Sequence, residues 1–223
     1  MGVGDRRSDL ARLGDEARGE LEAAHRGREE ALARCRETIR ACGLAIRAVH
    51  RLQPDEVGAR LAEAEDRLRR AQAALGPFPR LAAAGFLHDA EKEYAEARLT
   101  GALVAGAALP GHGELGVGLP AWLTGLAEAA SELRRHLLDR LRGGEAGRGE
   151  ELLGAMEDVY DLLVTIEYPD AITGGLRHAT DALRAVLERS RADVTTTVLQ
   201  AGLARAIEAH LPRTGAPGPD PQQ

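Results

Sequence analysis

Apolar side chains recur at helical spacing along most of the chain, and short segments rich in Gly and Pro separate the resulting stripes. The clearest stripe lies near the N-terminus, where apolar residues follow intervals of three and four: Leu32, Cys35, Ile39, Cys42, Ile46 and Val49. Such a narrow stripe predicts a long helix that packs lengthwise against other helices. We predict that this helix spans about residues 9–52 and that Pro54 ends it.

The same reasoning predicts further helices. Their approximate bounds are 55–75, 81–109, 119–142, 176–191 and 193–211. One more helix follows the turn at 143–149 and runs to about residue 167. The fourth helix has the core stripe Leu119, Trp122, Leu126, Leu133, Leu137 and Leu141. We therefore predict an all-α, single-domain antiparallel bundle of about seven helices over 1–211. A disordered tail is predicted at 212–223, where apolar groups are too few to offset chain entropy.

Composition narrows the possible functions. Of the 223 residues, 44% are hydrophobic and only 3% aromatic, which suits one helical domain with a substantial core. The net charge of −6 argues against a generally basic nucleic-acid coat, so any such binding needs a local patch. No apolar run is long enough for a membrane span or a signal peptide, and we expect a cytoplasmic protein without membrane contact. Cys35 and Cys42 lie too far apart along one helix to pair and are expected to be buried hydrophobes.

Two pairs of acidic residues lie one turn apart on predicted helices. Glu93 and Glu96 belong to the third helix, where Glu93 is expected on the shoulder of the apolar stripe and Glu96 farther round. Glu128 and Glu132 belong to the fourth helix and point away from its leucine stripe. Taken singly, each pair is more typical of a solvated face.

Small side chains beside the second pair change this picture. Gly125 and Ala129 would allow a neighbouring helix to approach closely, whereas Lys92 and Arg98 could neutralise the first pair without any metal. Four carboxylates from two adjacent helices would suit a hard cation such as Mg²⁺ or Mn²⁺, which prefers oxygen ligands. A metal centre and a solvated acidic face both remain open at this point.

One edge of the first helix carries four arginines. They fall within about 60° of one another at 100° per residue and lie away from the apolar stripe: Arg36, Arg40, Arg47 and Arg51. This arginine edge has the spacing to follow a phosphate backbone, and salt bridges to Glu37 and to neighbouring helices are an equally good alternative. The scarcity of aromatic residues favours recognition by shape and charge over base stacking.

Several segments together resemble one known family. They are GFLHDAEKEYAEA, LTGLAEAASELRRHLLD and VYDLLVTIEYPDAITGGLRHATDALRAVLERSRADVT, combined with the long first helix that bears the arginines. In content, order and spacing they are similar to the translin and translin-associated factor X (TRAX) family in its prokaryotic form. The resemblance covers about residues 28–206.

The resemblance implies a seven-helix fold, assembly into a hollow homo-oligomer, an octamer in this family, and binding of single-stranded or structured RNA and DNA. It also implies a Mg²⁺- or Mn²⁺-dependent endoribonuclease whose catalytic and metal-binding acids are Glu93, Glu96, Glu128 and Glu132. First-helix arginines face nucleic acid in some members, and His88 is a further candidate contact. Two departures stand out: Lys92 replaces a common Gln, and Glu128 replaces a typical Asp.

Three hypotheses follow from these observations. The first is a metal-dependent endoribonuclease. The second is a translin-like module that binds single-stranded nucleic acid without cutting it. The third is a helical assembly subunit whose acidic residues are solvated.

Overall fold

The computed structural model describes residues 3–210, and within them the chain forms nine helices and no strand. The helices are α1 Val3–His50, α2 Pro54–Leu75, α3 Pro79–Ala82, α4 Gly85–Ala105, α5 His112–Leu115, α6 Leu119–Arg142, α7 Ala146–Val164, α8 Asp170–Thr173 and α9 Leu176–His210. The predicted all-α class is confirmed, with six long helices and three of a single turn. The predicted tail at 212–223 lies outside the described residues.

The last helix differs from the prediction. Two helices were expected, at 176–191 and 193–211, and the structure has one continuous α9. The hydroxyl groups of Thr196 and Thr197 donate to the carbonyls of Ala192 and Asp193, at 2.9 Å in each case. Because these bonds satisfy the hydroxyls inside the helix, the threonine run does not interrupt it.

The predicted stripes mark the core with two exceptions. Ile39 on α1 is 36% exposed, and Leu119 at the start of α6 is 49% exposed. Leu32 is half-buried and Val49 is buried. The other stripe residues pack into a large cluster that includes α1, α2, α4 and α6 or into a smaller one that includes α6, α7 and α9. Cys35 and Cys42 are buried free thiols, as expected.

Helix α4 is the central element because it packs against both α1 and α6. Residues early in α4 contact residues early in α6, and residues late in α4 contact residues late in α6. Glu91 accepts a hydrogen bond from the amide of Gly118 near the start of α6. Leu103, near the end of α4, packs against the smaller cluster, to which the second half of α6 contributes Leu133, Leu137 and Leu141. The loop from 106 to 118 therefore returns the chain, and α4 and α6 run in the same direction.

Helix α1 reaches well beyond the bundle, and its residues 6–12 are exposed. None of the helices within residues 3–210 is both long and apolar enough to cross a membrane.

Candidate metal centre and nucleic-acid interface

Three carboxylates from α4 and α6 converge at one point. Oxygen atoms of Glu93, Glu96 and Glu128 all lie within 4.8 Å of one another. Gly125 makes this possible, because a Cβ at that position would lie 2.8 Å from the carbonyl oxygen of Lys92 and 3.0 Å from the amide nitrogen of Glu96. The absence of a side chain at Gly125 thus lets the backbone of α6 contact the backbone of α4 at the level of the acids.

Glu96 is the most buried of these acids, with 8% of its surface exposed. The expectation that it lies farther from the packed side of the helix than Glu93 is therefore wrong. Burial and, after it, the negative charges of Glu128, Glu93 and Glu132 together raise the pKa of Glu96 to about 8. At neutral pH this carboxyl group is protonated unless additional positive charge approaches it.

Lys92 supplies one positive charge to the group. Its Nζ lies 2.8 Å from Oε2 of Glu128 and 3.5 Å from Oε1 of Glu93. Burial lowers the pKa of Lys92, but the hydrogen bond to Glu128 and the nearby acids outweigh that effect and raise it overall. Arg98, the other expected neutralising residue, instead donates to the hydroxyl of Tyr94 at 2.7 Å.

Glu132 lies outside the group of three. Its Oε2 is 2.9 Å from Nε2 of His50, which comes from the last turn of α1. The hydrogen bond from His50 is the main reason that the pKa of Glu132 is lowered, so this carboxylate is ionised at neutral pH. The fourth predicted acid is therefore bound to a histidine and does not share the space between Glu93, Glu96 and Glu128.

The arginine edge is exposed along its whole length: Arg36, Arg40, Arg47 and Arg51. Among residues 3–210, none of these four lies within ion-pair distance of an acidic side chain. Glu37, their alternative partner, is 2.9 Å from Arg34 and 3.3 Å from Arg67 instead.

The arginine edge borders the side of α1 that faces α6. At 100° per residue, its centre lies about 70° from His50 around the helix. His88 is elsewhere: it packs against Gly174, where a Cβ would lie 2.9 Å from its Cε1. His88, in the first turn of α4, therefore contacts the turn between α8 and α9.

Comparisons with known proteins agree with this architecture. No family model matches the chain. An uncharacterised protein of Methanocaldococcus jannaschii is 28% identical over 173 residues, which are 77% of this chain and 76% of the relative. The structure of AfC3PO in complex with duplex RNA is 29% identical with a TM-score of 0.78 and covers 85% of this chain and 97% of its own.

Two further solved structures align over similar lengths. The crystal structure of AfC3PO is 29% identical, has a TM-score of 0.78, and covers 85% of this chain and 98% of its own. Apo-NeC3PO, at 18% identity and a TM-score of 0.75 over 82% of this chain and 96% of its own, shares the fold. These likenesses support the expected relationship to the translin/TRAX family.

Two features of the site could not be predicted from the sequence. The ion pair between Lys92 and Glu128 joins residues 36 apart on separate helices, so helical spacing could not reveal it. His50 left a weak signal, since it follows Ile46 by one turn on the packed side of α1. A histidine at that register is buried and needs a partner, which here is Glu132.

Proposed function

We propose that the protein binds RNA and cuts it as a divalent-metal-dependent endoribonuclease. The observation that carries this proposal is the convergence of Glu93, Glu96 and Glu128 within 4.8 Å. The duplex RNA bound by AfC3PO, at 29% identity to this chain, supports RNA as the substrate class. The resemblance to the family supports binding of DNA and of single strands as well, and assembly into a hollow homo-octamer.

The donor set fits Mg²⁺ or Mn²⁺. All three groups are carboxylates on rigid helices, and oxygen atoms that share one such cation lie about 3 to 4 Å apart. Glu96 supports the fit independently, because a buried carboxyl group with a pKa of about 8 is costly to ionise and a cation would offset that cost. Glu93, Glu96 and Glu128 would hold the ion, which when bound would activate water and stabilise charge on the phosphate.

The side chains around this group would supply the rest of the chemistry. Hydrolysis joins the oxygen of a water molecule to phosphorus, and the bond from phosphorus to the leaving sugar oxygen breaks. Glu132, ionised and close enough to raise the pKa of Glu96, is suited to accept the proton of the water. Solvent would then protonate the leaving oxygen.

Binding is assigned to the exposed basic groups of α1. Arg36, Arg40, Arg47 and Arg51 lie on the side of α1 next to the helix that carries Glu128 and Glu132, and we propose that they contact phosphates. His88, on α4 beside the turn between α8 and α9, is proposed as a further contact.

The test is cleavage of a short single-stranded RNA and of a duplex RNA with Mn²⁺, with Mg²⁺ and with EDTA. Glu93→Gln should abolish cutting and leave RNA affinity in EDTA within about three-fold of wild type, since a ligand is lost and no phosphate contact is removed. Asp89→Asn, an exposed acid one turn away on the same helix, is the matched control and should cut normally. Full cutting by Glu93→Gln would refute the assignment.

A second function, binding without cutting, is favoured by one observation. Lys92 already places a positive charge 2.8 Å from Glu128. If Lys92 replaces the metal, the protein should bind no Mn²⁺ in calorimetry and should retard RNA equally with Mg²⁺ and with EDTA. Its RNA affinity should still fall with salt in proportion to the phosphates contacted. Absence of both RNA binding and cutting would favour the third hypothesis, an assembly subunit.

A further inference from the structure

His50 connects two helices that otherwise scarcely meet. Helix α1 packs against α2 and α4, and His50 reaches past them to Glu132 on α6, 82 residues later. The imidazole is almost completely enclosed, with 3% of its side chain exposed. A buried hydrogen bond between distant elements fixes the orientation of both side chains.

The end of α1 is shaped around this contact. Leu52 follows His50 by two residues and has a φ of +56°, the one positive φ at a non-glycine position within residues 3–210. The left-handed conformation costs a non-glycine residue about 1 to 2 kcal/mol. With the amide of Gln53 bonded to the carbonyl of Ala48, this turn ends α1 just after His50.

The two nitrogens of His50 have different surroundings. Nε2 is bonded to Glu132, whereas Nδ1 is buried and has no hydrogen-bond partner among the described residues. Leaving a buried polar atom unpaired destabilises the folded state. A purely structural packing position would be filled at lower cost by an apolar side chain.

The contact also leaves one oxygen of Glu132 available. His50 occupies Oε2, and Oε1 has no hydrogen bond to another side chain within residues 3–210. Glu132 is thus held at one oxygen, beside and not within the group formed by Glu93, Glu96 and Glu128.

We propose that His50 is a positioning residue, which through Nε2 holds Glu132 apart from the three-carboxylate group with its other oxygen free to accept a proton. The catalytic part of this inference rests on the proposed function. The separation of Glu132 from the metal-binding group requires only that the ion binds, and not that RNA is cut.

The test uses two matched substitutions of His50. In His50→Gln the amide nitrogen reaches about as far as Nε2, and in His50→Asn it reaches only as far as Nδ1. His50→Asn should lower kcat by about ten- to a hundred-fold, the range expected for a misplaced proton acceptor, with KM and the Mn²⁺ affinity within about three-fold of wild type. His50→Gln should restore most of kcat. Circular dichroism would confirm that both variants are folded.

Calorimetric titration of Mn²⁺ into the metal-free protein gives a readout that does not depend on activity. Glu132→Gln should bind Mn²⁺ as wild type does, whereas Glu96→Gln should bind it at least ten-fold more weakly. A ten-fold loss in Glu132→Gln or in His50→Asn would overturn the inference, because Glu132 would then be a ligand. Equal kcat values for the Asn and Gln variants of His50 would also overturn it.

The two proposals can fail separately. If wild type binds Mn²⁺ and cuts no RNA, the proposed function is wrong, and unchanged Mn²⁺ affinities in Glu132→Gln and His50→Asn would still support the separation of Glu132. If wild type cuts RNA and His50→Asn has wild-type kcat, the proposed function stands and the positioning role is wrong. Failure of wild type to bind Mn²⁺ would overturn both.

Discussion

Replacing Glu96 by Gln should stabilise the metal-free protein, and the gain should grow as pH rises. Glu96 is buried against Glu93 and Glu128, and burial followed by their charges raises its pKa from 4.5 to about 8. Gln has nearly the shape of the protonated carboxyl group and never ionises. The substitution therefore removes the ionisation and leaves the packing almost unchanged.

The sign follows from proton binding. Between pH 4.5 and about 8 the folded state keeps a proton on Glu96 that the unfolded chain has released. Wild type therefore loses stability as pH rises through this window, by at most about 1.4 kcal/mol per pH unit. Across the whole window the difference between variant and wild type reaches an upper value of about 5 kcal/mol, and below pH 4.5 it falls to near zero.

The measurement is urea unfolding in EDTA at a fixed protein concentration from pH 4 to 9, because assembly would make stability depend on concentration. Glu30→Gln, at an exposed position of α1, is the control and should follow the pH dependence of wild type. Parallel curves for Glu96→Gln and wild type would refute the argument. So would a difference that shrinks as pH rises.

Mn²⁺ should reverse the difference between the two proteins. A ligand at about 100 times its Kd stabilises the form that binds it by about 2.7 kcal/mol, and only wild type retains the full ligand set. Because Glu96 must lose its proton to bind a cation, Mn²⁺ binding at pH 7 should release close to one proton, and at pH 9 close to none. Calorimetry in two buffers of different ionisation enthalpy measures this number.

Three further predictions concern the surroundings of the acids. Lys92→Gln should tighten Mn²⁺ binding about ten-fold, because it removes a competing cation, and calorimetry showing unchanged or weaker binding would contradict this. Gly125→Ala should destabilise the protein by about 1 to 3 kcal/mol, because the added Cβ forces α6 away from α4. Gly154→Ala is the control and should not destabilise the protein, since no atom lies within 4 Å of its added Cβ. In RNA titrations, Arg47→Ala should reduce the slope of log affinity against log salt concentration by about 1. Arg184→Ala is the control, because Arg184 is paired with Glu188, and it should leave this slope unchanged.

Helical periodicity predicted the elements well because each long helix buries one continuous stripe. It failed where a helix is buried on two sides. Helix α4 contacts α1 at Gly101, where a Cβ would lie 4.0 Å from Cγ2 of Val49, and contacts α6 near Ala95 and Glu96. One apolar stripe therefore does not describe its packed surface. Glu96 was expected to lie outside that stripe and is instead buried at the contact with α6.

The site was predictable only in part for a related reason. Spacing within one helix placed Glu93 near Glu96 and Glu128 near Glu132, and Gly125 indicated a close approach between helices. Which acids meet depends on the register between α4 and α6, and that register depends on the path of the loop from 106 to 118. In the structure, Glu128 lies beside the acids of α4, and Glu132 is hydrogen-bonded to His50.

A count of charges argues for a divalent ion even with Lys92 in place. If Glu93, Glu96 and Glu128 were all ionised, Lys92 would leave a net charge of −2 in a half-buried space. Burial, followed by this negative charge, raises the pKa of Glu96, and a proton on Glu96 lowers the net charge to −1. A single Mg²⁺ or Mn²⁺ would balance the ionised group completely, and Lys92 alone does not. Under the proposed function, the lysine is therefore one part of the neutralising charge, and the divalent ion would supply the rest.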